Sequence, residues 1–369
     1  MKLKKLAVCC GGTGGHFFPG LSIARTFNSS GGEVLLLLSG VHAPAQQKIA
    51  AEYGINAVAL PEMPHYRQHP LRFIKGFAGG FCEAKKELKK FAPQALLGMG
   101  SFASLPVVLA AKSCRIPIFL HDGNARIGRA NRFFSRWAKF CGTAFPAVNE
   151  DACRAQVKAV GMPVRPELLE FTRMDKVSAL AALNREFGTA FTAEKPLILV
   201  TGGSQGAAVF NEVLPQAFRE CSGEFQVIHL TGKGKFTATE KEYEKAGFPV
   251  KLVESTGKMG EVLAAADLVF SRSGGSTAAE LALFGKAAVL IPYPYAAEGH
   301  QMDNARWFES SQAAVVVENS SLSTARAKEI ISDFLADREK YEKMGRNMLS
   351  LAAPAASEMM IEEISRRLS

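Results

Sequence analysis

The chain has 369 residues, 47% hydrophobic and 21% charged, which excludes a disordered protein and gives enough length for two α/β domains. Its net charge of +9 is uneven: residues 1–165 carry 22 Lys and Arg against 8 Asp and Glu, and residues 166–369 carry 22 against 27. That imbalance implies an anionic partner for the first half alone; membrane phospholipid, nucleic acid and a diphosphate substrate all satisfy it. No apolar run approaches the ~18 residues a spanning helix needs. The basic start from Met1 to Cys10 resembles a signal peptide, but its apolar part is too short and runs straight into glycines, as a first strand does. Seven scattered cysteines, without a CxxC pair or a Cys/His cluster at metal spacing, suggest reduced thiols in a cytoplasmic protein.

Leu6 to Cys10 reads as a buried strand, followed by Gly11-Gly12-Thr13-Gly14-Gly15-His16 and a helical run from Leu21 to Phe27. Strand, glycine loop and helix start together present free backbone N–H groups to an anion. Phe17 stands where a dinucleotide fingerprint needs its third glycine, although Glu33 lies roughly where such a fold keeps its ribose acid. His16 sits at the loop mouth near a helix N-terminus, which would keep it neutral and able to accept a proton. A histidine that merely lines the loop is the plainer alternative.

Strands are expected at Val34–Leu38 and Ala57–Leu60, with a helix at about Ala45–Tyr53 between them. Pro61 to Phe91 then mixes Arg67, Arg72, Lys75, Lys85, Lys86, Lys89 and Lys90 with Phe73, Ile74, Phe77 and Phe81. Leu71–Phe81 fits a membrane-surface patch; Glu83–Phe91 fits a helix with solvated lysines. Ala95-Leu96-Leu97 leads into a further glycine loop, Gly98 to Ser104. A strand at Ile116–Leu120 delivers His121-Asp122-Gly123-Asn124 at its carboxyl end, where doubly wound sheets bind ligands. Arg126, Arg129, Arg132 and Arg136 recur at one-turn spacing, which predicts a basic helix face. Thr143–Phe145 is expected to be the last strand of this half, and Gly161–Pro166 a linker broken by two prolines.

The second half repeats the opening. Pro196–Val200 is a strand, followed by Thr201-Gly202-Gly203-Ser204-Gln205-Gly206 and a helix from about Val209. Strands are expected at Gln226–Leu230 and Val250–Val253, and a helix at Met259–Ala265. Leu268-Val269-Phe270 is a short strand, broken by Ser271-Arg272-Ser273-Gly274-Gly275-Ser276-Thr277 before the helix-forming Ala278–Leu283. Glu280 in the first turns suits a ribose diol, since each carboxylate oxygen can accept from one hydroxyl. The chain returns through a strand at Ala287–Ile291 to the polar cluster Glu298, His300, Gln301, Asp303 and Asn304. Two Rossmann-like, doubly wound parallel-sheet α/β domains are expected, their loops facing across a cleft.

The glycine loop ending in His16, the Gly202–Gly206 loop, the Ser271–Glu280 segment and Ala296 to Asn304 occur in that order in one chain. The set resembles glycosyltransferase family 28 in its MurG branch, from the first strand to past Asn304. The resemblance implies a GT-B fold, no metal and no cofactor. It implies inverting transfer of N-acetylglucosamine from UDP-N-acetylglucosamine to the N-acetylmuramoyl 4-hydroxyl of lipid I, giving lipid II. The protein would then be peripheral at the cytoplasmic face of the inner membrane, with cell-wall synthesis or division proteins as further candidate partners. Domains of 1–164 and 165–345 follow, with a terminal helix of about 346–369 packing back on the first.

Carried over by motif, Thr13, Gly14 and Gly15 lie against diphosphates, Asn124 touches the transferred sugar, and Arg165 and Ser204 meet the nucleotide diphosphate. Thr256 offers its backbone to uracil. Gly275, Ser276, Thr277, Ala278, Ala279 and Glu280 wrap ribose and phosphate, and Gln301 holds sugar hydroxyls. His16 is the first choice of base and Asp122 the second. The chain departs from the family pattern at Asp122 for Glu, Met162 for Asn, and Phe102 for an aromatic hydroxyl. Other readings are a GT-B enzyme acting on diacylglycerol, an NAD-dependent oxidoreductase and a non-catalytic division scaffold. No nucleic-acid module accompanies the basic charge.

Overall fold

The computed structural model describes residues 3–12, 14–63, 70–203, 205–244 and 246–368. The predicted site residues Thr13 and Ser204, and Arg67 of the basic segment, lie outside them. The chain divides into two compact units, one reaching Pro166 and resuming at Ala353, the other Glu167–Ala352.

The first unit holds strands β1 (Lys5–Gly11), β2 (Glu33–Ser39), β3 (Asn56–Ala59), β4 (Ala95–Gly98), β5 (Ile118–Asp122), β6 (Ala138–Thr143) and β7 (Gln156–Ala159). They form one parallel sheet in the order β3-β2-β1-β4-β5-β6-β7. Leu6 to Cys10 are buried on both faces, which is why β1 is an unbroken apolar run rather than an alternating one. The chain reverses its winding between β1 and β4, so the loops after these two strands flank the switch point where such sheets take ligands.

The second unit holds β8 (Leu197–Thr201), β9 (Gln226–Leu230), β10 (Val250–Val253), β11 (Leu268–Ser271), β12 (Ala287–Leu290) and β13 (Ala314–Val316). Its parallel order is β10-β9-β8-β11-β12-β13, with the switch point between β8 and β11. The doubly wound α/β expectation is met in both units.

Several expectations are corrected. Pro70–Phe91 is one continuous helix, which runs through both the Leu71–Phe81 patch and the Glu83–Phe91 segment. Arg126 and Arg136 fall outside the short helix Arg129–Phe134, so the four arginines do not share a helical face. β7 and β13 were not expected, and the strand drawn at Thr143–Phe145 is instead β6, which ends at Thr143. Glu33 starts β2 in register with Lys5, with which it pairs at 3.2 Å. That is the amino end of the sheet, away from the ligand edge, so the ribose-acid reading of Glu33 fails with the NAD alternative it served.

The terminal helix Ala356–Leu368 packs on the first unit. Lys158 on β7 meets Glu363 at 2.7 Å, and the Arg367 guanidinium lies 4.0 Å from the Phe140 ring centre. Helix Arg338–Ser350 belongs to the second unit. No helix among the described residues is long and apolar enough to cross a membrane.

Candidate functional site

In the first unit, β1 ends at Gly11 with φ 143°, and a β-carbon there would collide with the Ser39 carbonyl, so only glycine lets the two strands run side by side into the loop. Helix Gly14–Ser29 follows with no acidic residue in its first turn. Its leading N–H groups have no intrahelical acceptors, and Gly14 and Gly15 are exposed. His16, half-buried, stands beside the loop after β4: a β-carbon on Gly100 would lie 3.5 Å from His16 Nε2 and 3.2 Å from Asn131 Nδ2. Gly100 has φ 85°, so backbone conformation and space both select glycine there.

His121 and Asp122 are the last residues of β5 rather than part of the loop beyond it, and both are buried. Burial lowers the His121 pKa below its ordinary value, outweighing the Gly161 carbonyl and the Asp122 charge, which act upward; His16 adds to the lowering. The His121 ring nitrogen Nε2 lies 2.9 Å from the Gly161 carbonyl. A carbonyl can only accept, so Nε2 carries the proton and the ring is the neutral Nε2–H tautomer.

Asp122 has its oxygens engaged. Oδ2 accepts from Gly128 N–H at 2.8 Å and Asn131 Nδ2 at 3.0 Å, and Oδ1 accepts from Asn124 Nδ2 at 3.4 Å. Asn149 closes the turn from the other side, accepting from Ile127 N–H at 2.9 Å and donating to the Ile127 carbonyl at 3.2 Å. The carboxylate thus braces the Asp122–Gly128 turn. Asn131 and Asn149 were not singled out from the sequence; the one signal for Asn131 was a lone amide inside the apolar and basic run Ala130–Phe134. Phe102, where the family pattern has an aromatic hydroxyl, is 53% exposed and stacks on Phe73 with ring centres 6.3 Å apart, which joins it to the aromatic stripe of Pro70–Phe91. Arg165 is half-buried on the segment leaving this unit.

In the second unit the loops after β8 and β11 flank the switch point. A β-carbon on Gly206 (φ 62°) would strike the Thr231 carbonyl, so Gly206 lies directly on the turn after β9. Asn211 Nδ2 donates to that carbonyl at 3.1 Å, and Asn211 Oδ1 accepts from His229 Nε2 at 2.9 Å. His229 Nδ1 accepts from the Tyr243 hydroxyl at 3.0 Å, and burial pushes the His229 pKa down to about 3.

Helix Gly275–Leu283 starts after Gly274, which has no side chain to cap it, so the N–H groups of Gly275, Ser276 and Thr277 have no intrahelical acceptors at the switch point. Ala278 is buried, while Ala279 and Glu280 are half-buried on the same helix. Arg272 is fixed beneath the loop, donating to the Ile291 and Pro292 carbonyls at 3.0 and 3.2 Å, with its guanidinium 4.8 Å from the Phe210 ring centre. Ser273 Oγ donates to the Gln301 carbonyl at 2.8 Å, and Asn304 Nδ2 to the Ser273 carbonyl at 2.9 Å. Tyr293 N–H donates to Gln301 Oε1 at 3.0 Å, which orients the side-chain amide with its Nε2 toward Gly274. The Thr256 hydroxyl accepts from Lys258 N–H at 2.9 Å.

The helix starts after β1 and β11 therefore leave backbone N–H groups able to donate to an anion, and the second lies beside a carboxylate, Glu280, and an oriented amide, Gln301, able to bond hydroxyls. The family model for the glycosyltransferase family 28 N-terminal domain matches residues 6–143, and that for the C-terminal domain matches residues 197–360. The chain belongs to glycosyltransferase family 28. A relative from Halothermothrix orenii, named UDP-N-acetylglucosamine–N-acetylmuramyl-(pentapeptide) pyrophosphoryl-undecaprenol N-acetylglucosamine transferase, is 32% identical over 98% of this chain and 98% of its own. A protein of the same name from Shewanella amazonensis is 33% identical, covering 99% of this chain and 98% of its own. The crystal structure of Acinetobacter baumannii MurG matches with a TM-score of 0.79 and 26% identity, over 98% of this chain and 99% of that one. With that neighbour, the two parallel-sheet units of this family 28 chain are those of the GT-B fold.

Proposed function

We propose that the protein transfers N-acetylglucosamine from UDP-N-acetylglucosamine to the N-acetylmuramoyl 4-hydroxyl of lipid I, giving lipid II. The observation that carries this reading is the match, at 32–33% identity and nearly end to end, with relatives named for that reaction. The uncapped start of Gly275–Leu283 beside the oriented Gln301 amide supports it, because a sugar nucleotide needs an anion site and hydroxyl partners together.

In this reading the second unit holds the donor. N–H groups of Gly275–Thr277 take the diphosphate, Glu280 the ribose hydroxyls, Gln301 the sugar hydroxyls and the Thr256 backbone the uracil; Ser204 adds to the diphosphate, and Arg165, at the end of the first unit, is assigned to it as well. The first unit holds the acceptor, with Thr13, Gly14 and Gly15 assigned to the donor and acceptor diphosphates and Asn124 to the transferred sugar. His16 takes the proton of the attacking hydroxyl. The new bond forms between that oxygen and the anomeric carbon as the bond to the UDP oxygen breaks, with inversion through an oxocarbenium-like transition state. Helix N-termini and loop N–H groups stabilise the departing diphosphate. Asp122 is assigned the bracing of the Asp122–Gly128 turn rather than proton transfer, because its oxygens already accept from Gly128, Asn131 and Asn124.

The anionic surface of the cytoplasmic membrane is the proposed platform. On helix Pro70–Phe91, Leu71 is 81% and Ile74 61% exposed, and the rings of Phe73, Phe77 and Phe81 stack in series beside lysines. A peripheral helix with apolar residues among basic ones binds such a surface.

A family 28 enzyme acting on another lipid alcohol is the competing reading. Incubation with labelled UDP-N-acetylglucosamine and equal amounts of a lipid I analogue and diacylglycerol separates the two. Label in the lipid I analogue is the expected result; label in diacylglycerol alone would overturn the assignment.

A further inference from the structure

Met162, one of the departures from the family pattern, meets the glycine of the His121–Asn124 turn. A β-carbon on Gly123 would lie 3.1 Å from Met162 Cε and 3.4 Å from its Sδ, closer than side chains normally pack. The Gly15 carbonyl oxygen borders the same spot at 4.0 Å. Gly123 does not have a positive φ, so the crowding at this position comes from the space the thioether occupies and not from a left-handed backbone. Met162 is 3% exposed and follows Gly161, whose carbonyl receives the His121 ring. Gly161 is itself pinned, since a β-carbon there would collide with Ala353. The buried thioether therefore fills the space into which a side chain on Gly123 would project. Asn124 is the next residue on that turn, and His16 the next after Gly15.

We propose that Met162 and Gly123 are one positioning unit of the transfer reaction: the thioether takes the volume a side chain at 123 would need, and so sets how far the turn carrying Asn124 stands from the loop carrying Gly15 and His16. Neither residue touches a reacting atom; both act through Asn124 and His16. A shift of the turn by a few tenths of an ångström lowers turnover while leaving the sugar nucleotide bound in the second unit, because positioning errors act mainly on the transition state.

The inference rests on the transfer reaction proposed above, and the experiment is a double-mutant cycle of G123A, M162A and the two combined. G123A is expected to lower kcat about tenfold with the donor KM changed less than about twofold. In the M162A background the same change is expected to cost less than about threefold, since the colliding atoms are gone. M162L keeps the core volume but has a shorter reach, so it is expected to relieve G123A as well and covers the case in which M162A does not fold. Equal cost of G123A in every background overturns the pairing. A cycle that couples in melting temperature but leaves kcat unchanged well below the melt overturns the positioning role. Wild-type protein inactive on the lipid I analogue overturns the proposed reaction instead, and the melting cycle then decides the pairing alone.

Discussion

Asn131 holds Asp122: its side-chain amide, 1% exposed, donates to Asp122 Oδ2 and to the His121 carbonyl, each at 3.0 Å. The carboxylate that a sequence reader nominates as a base is thereby a brace for the turn that presents Asn124. Asn131→Ala leaves a buried carboxylate short of one donor, which costs about 1–3 kcal/mol. Urea unfolding at neutral pH should show a loss of this size, and turnover should fall with it. A change within about 0.3 kcal/mol would mean the brace is redundant.

His16→Ala should lower kcat by about 10²–10⁴, the usual range for removing a general base. Calorimetry with UDP-N-acetylglucosamine should show donor affinity within about twofold of the parent, because the donor partners assigned to the second unit are untouched. Full turnover in a variant that still binds donor would remove His16 from the mechanism.

His229 makes stability depend on pH. Its pKa is about 6.5 when unfolded and about 3 when folded, so its contribution is complete above 6.5 and is lost as pH falls toward 3. The slope is about 1.4 kcal/mol per pH unit in that window. His121, also lowered by burial, acts in the same direction. His229→Gln should flatten the fall in urea midpoint between pH 6.5 and 4 relative to the parent; parallel curves would show that the ring is protonated in the folded protein.

Leu71→Asp with Ile74→Asp should weaken sedimentation with vesicles containing anionic lipid while leaving turnover on a short-chain, soluble lipid I analogue unchanged. Both residues are exposed, so the substitution costs the fold little. Unaltered vesicle binding would move the membrane contact elsewhere.

Much of this was legible in the residues because each signal was local. Apolar runs ending in glycine, from Leu6 to Gly11 and from Leu268 to Gly274, name a buried parallel strand and its anion loop without tertiary information. β7 is a mostly exposed edge strand without the apolar run that marked the equally short β4 and β11, and β13 is the 3-residue edge strand of the other sheet. The arginines from 126 to 136 keep helical spacing, but the helix stops at Phe134, because Trp137 N–H turns back to Phe134 and β6 begins at Ala138. The braces Asn131, Asn149, Asn211 and His229 were invisible because each bonds to residues 9 to 22 positions away, and no short pattern encodes such a partner. Met162 was seen only as an oddity; its meaning lies 39 residues away, at Gly123.

The most direct test is transfer of labelled N-acetylglucosamine from UDP-N-acetylglucosamine to a lipid I analogue by the purified protein in EDTA. The account predicts a β-linked disaccharide on the lipid and one UDP released per sugar transferred, with Glu280→Ala raising the donor KM about tenfold or more. No transfer by well-folded protein, or an α-linked product, would contradict it.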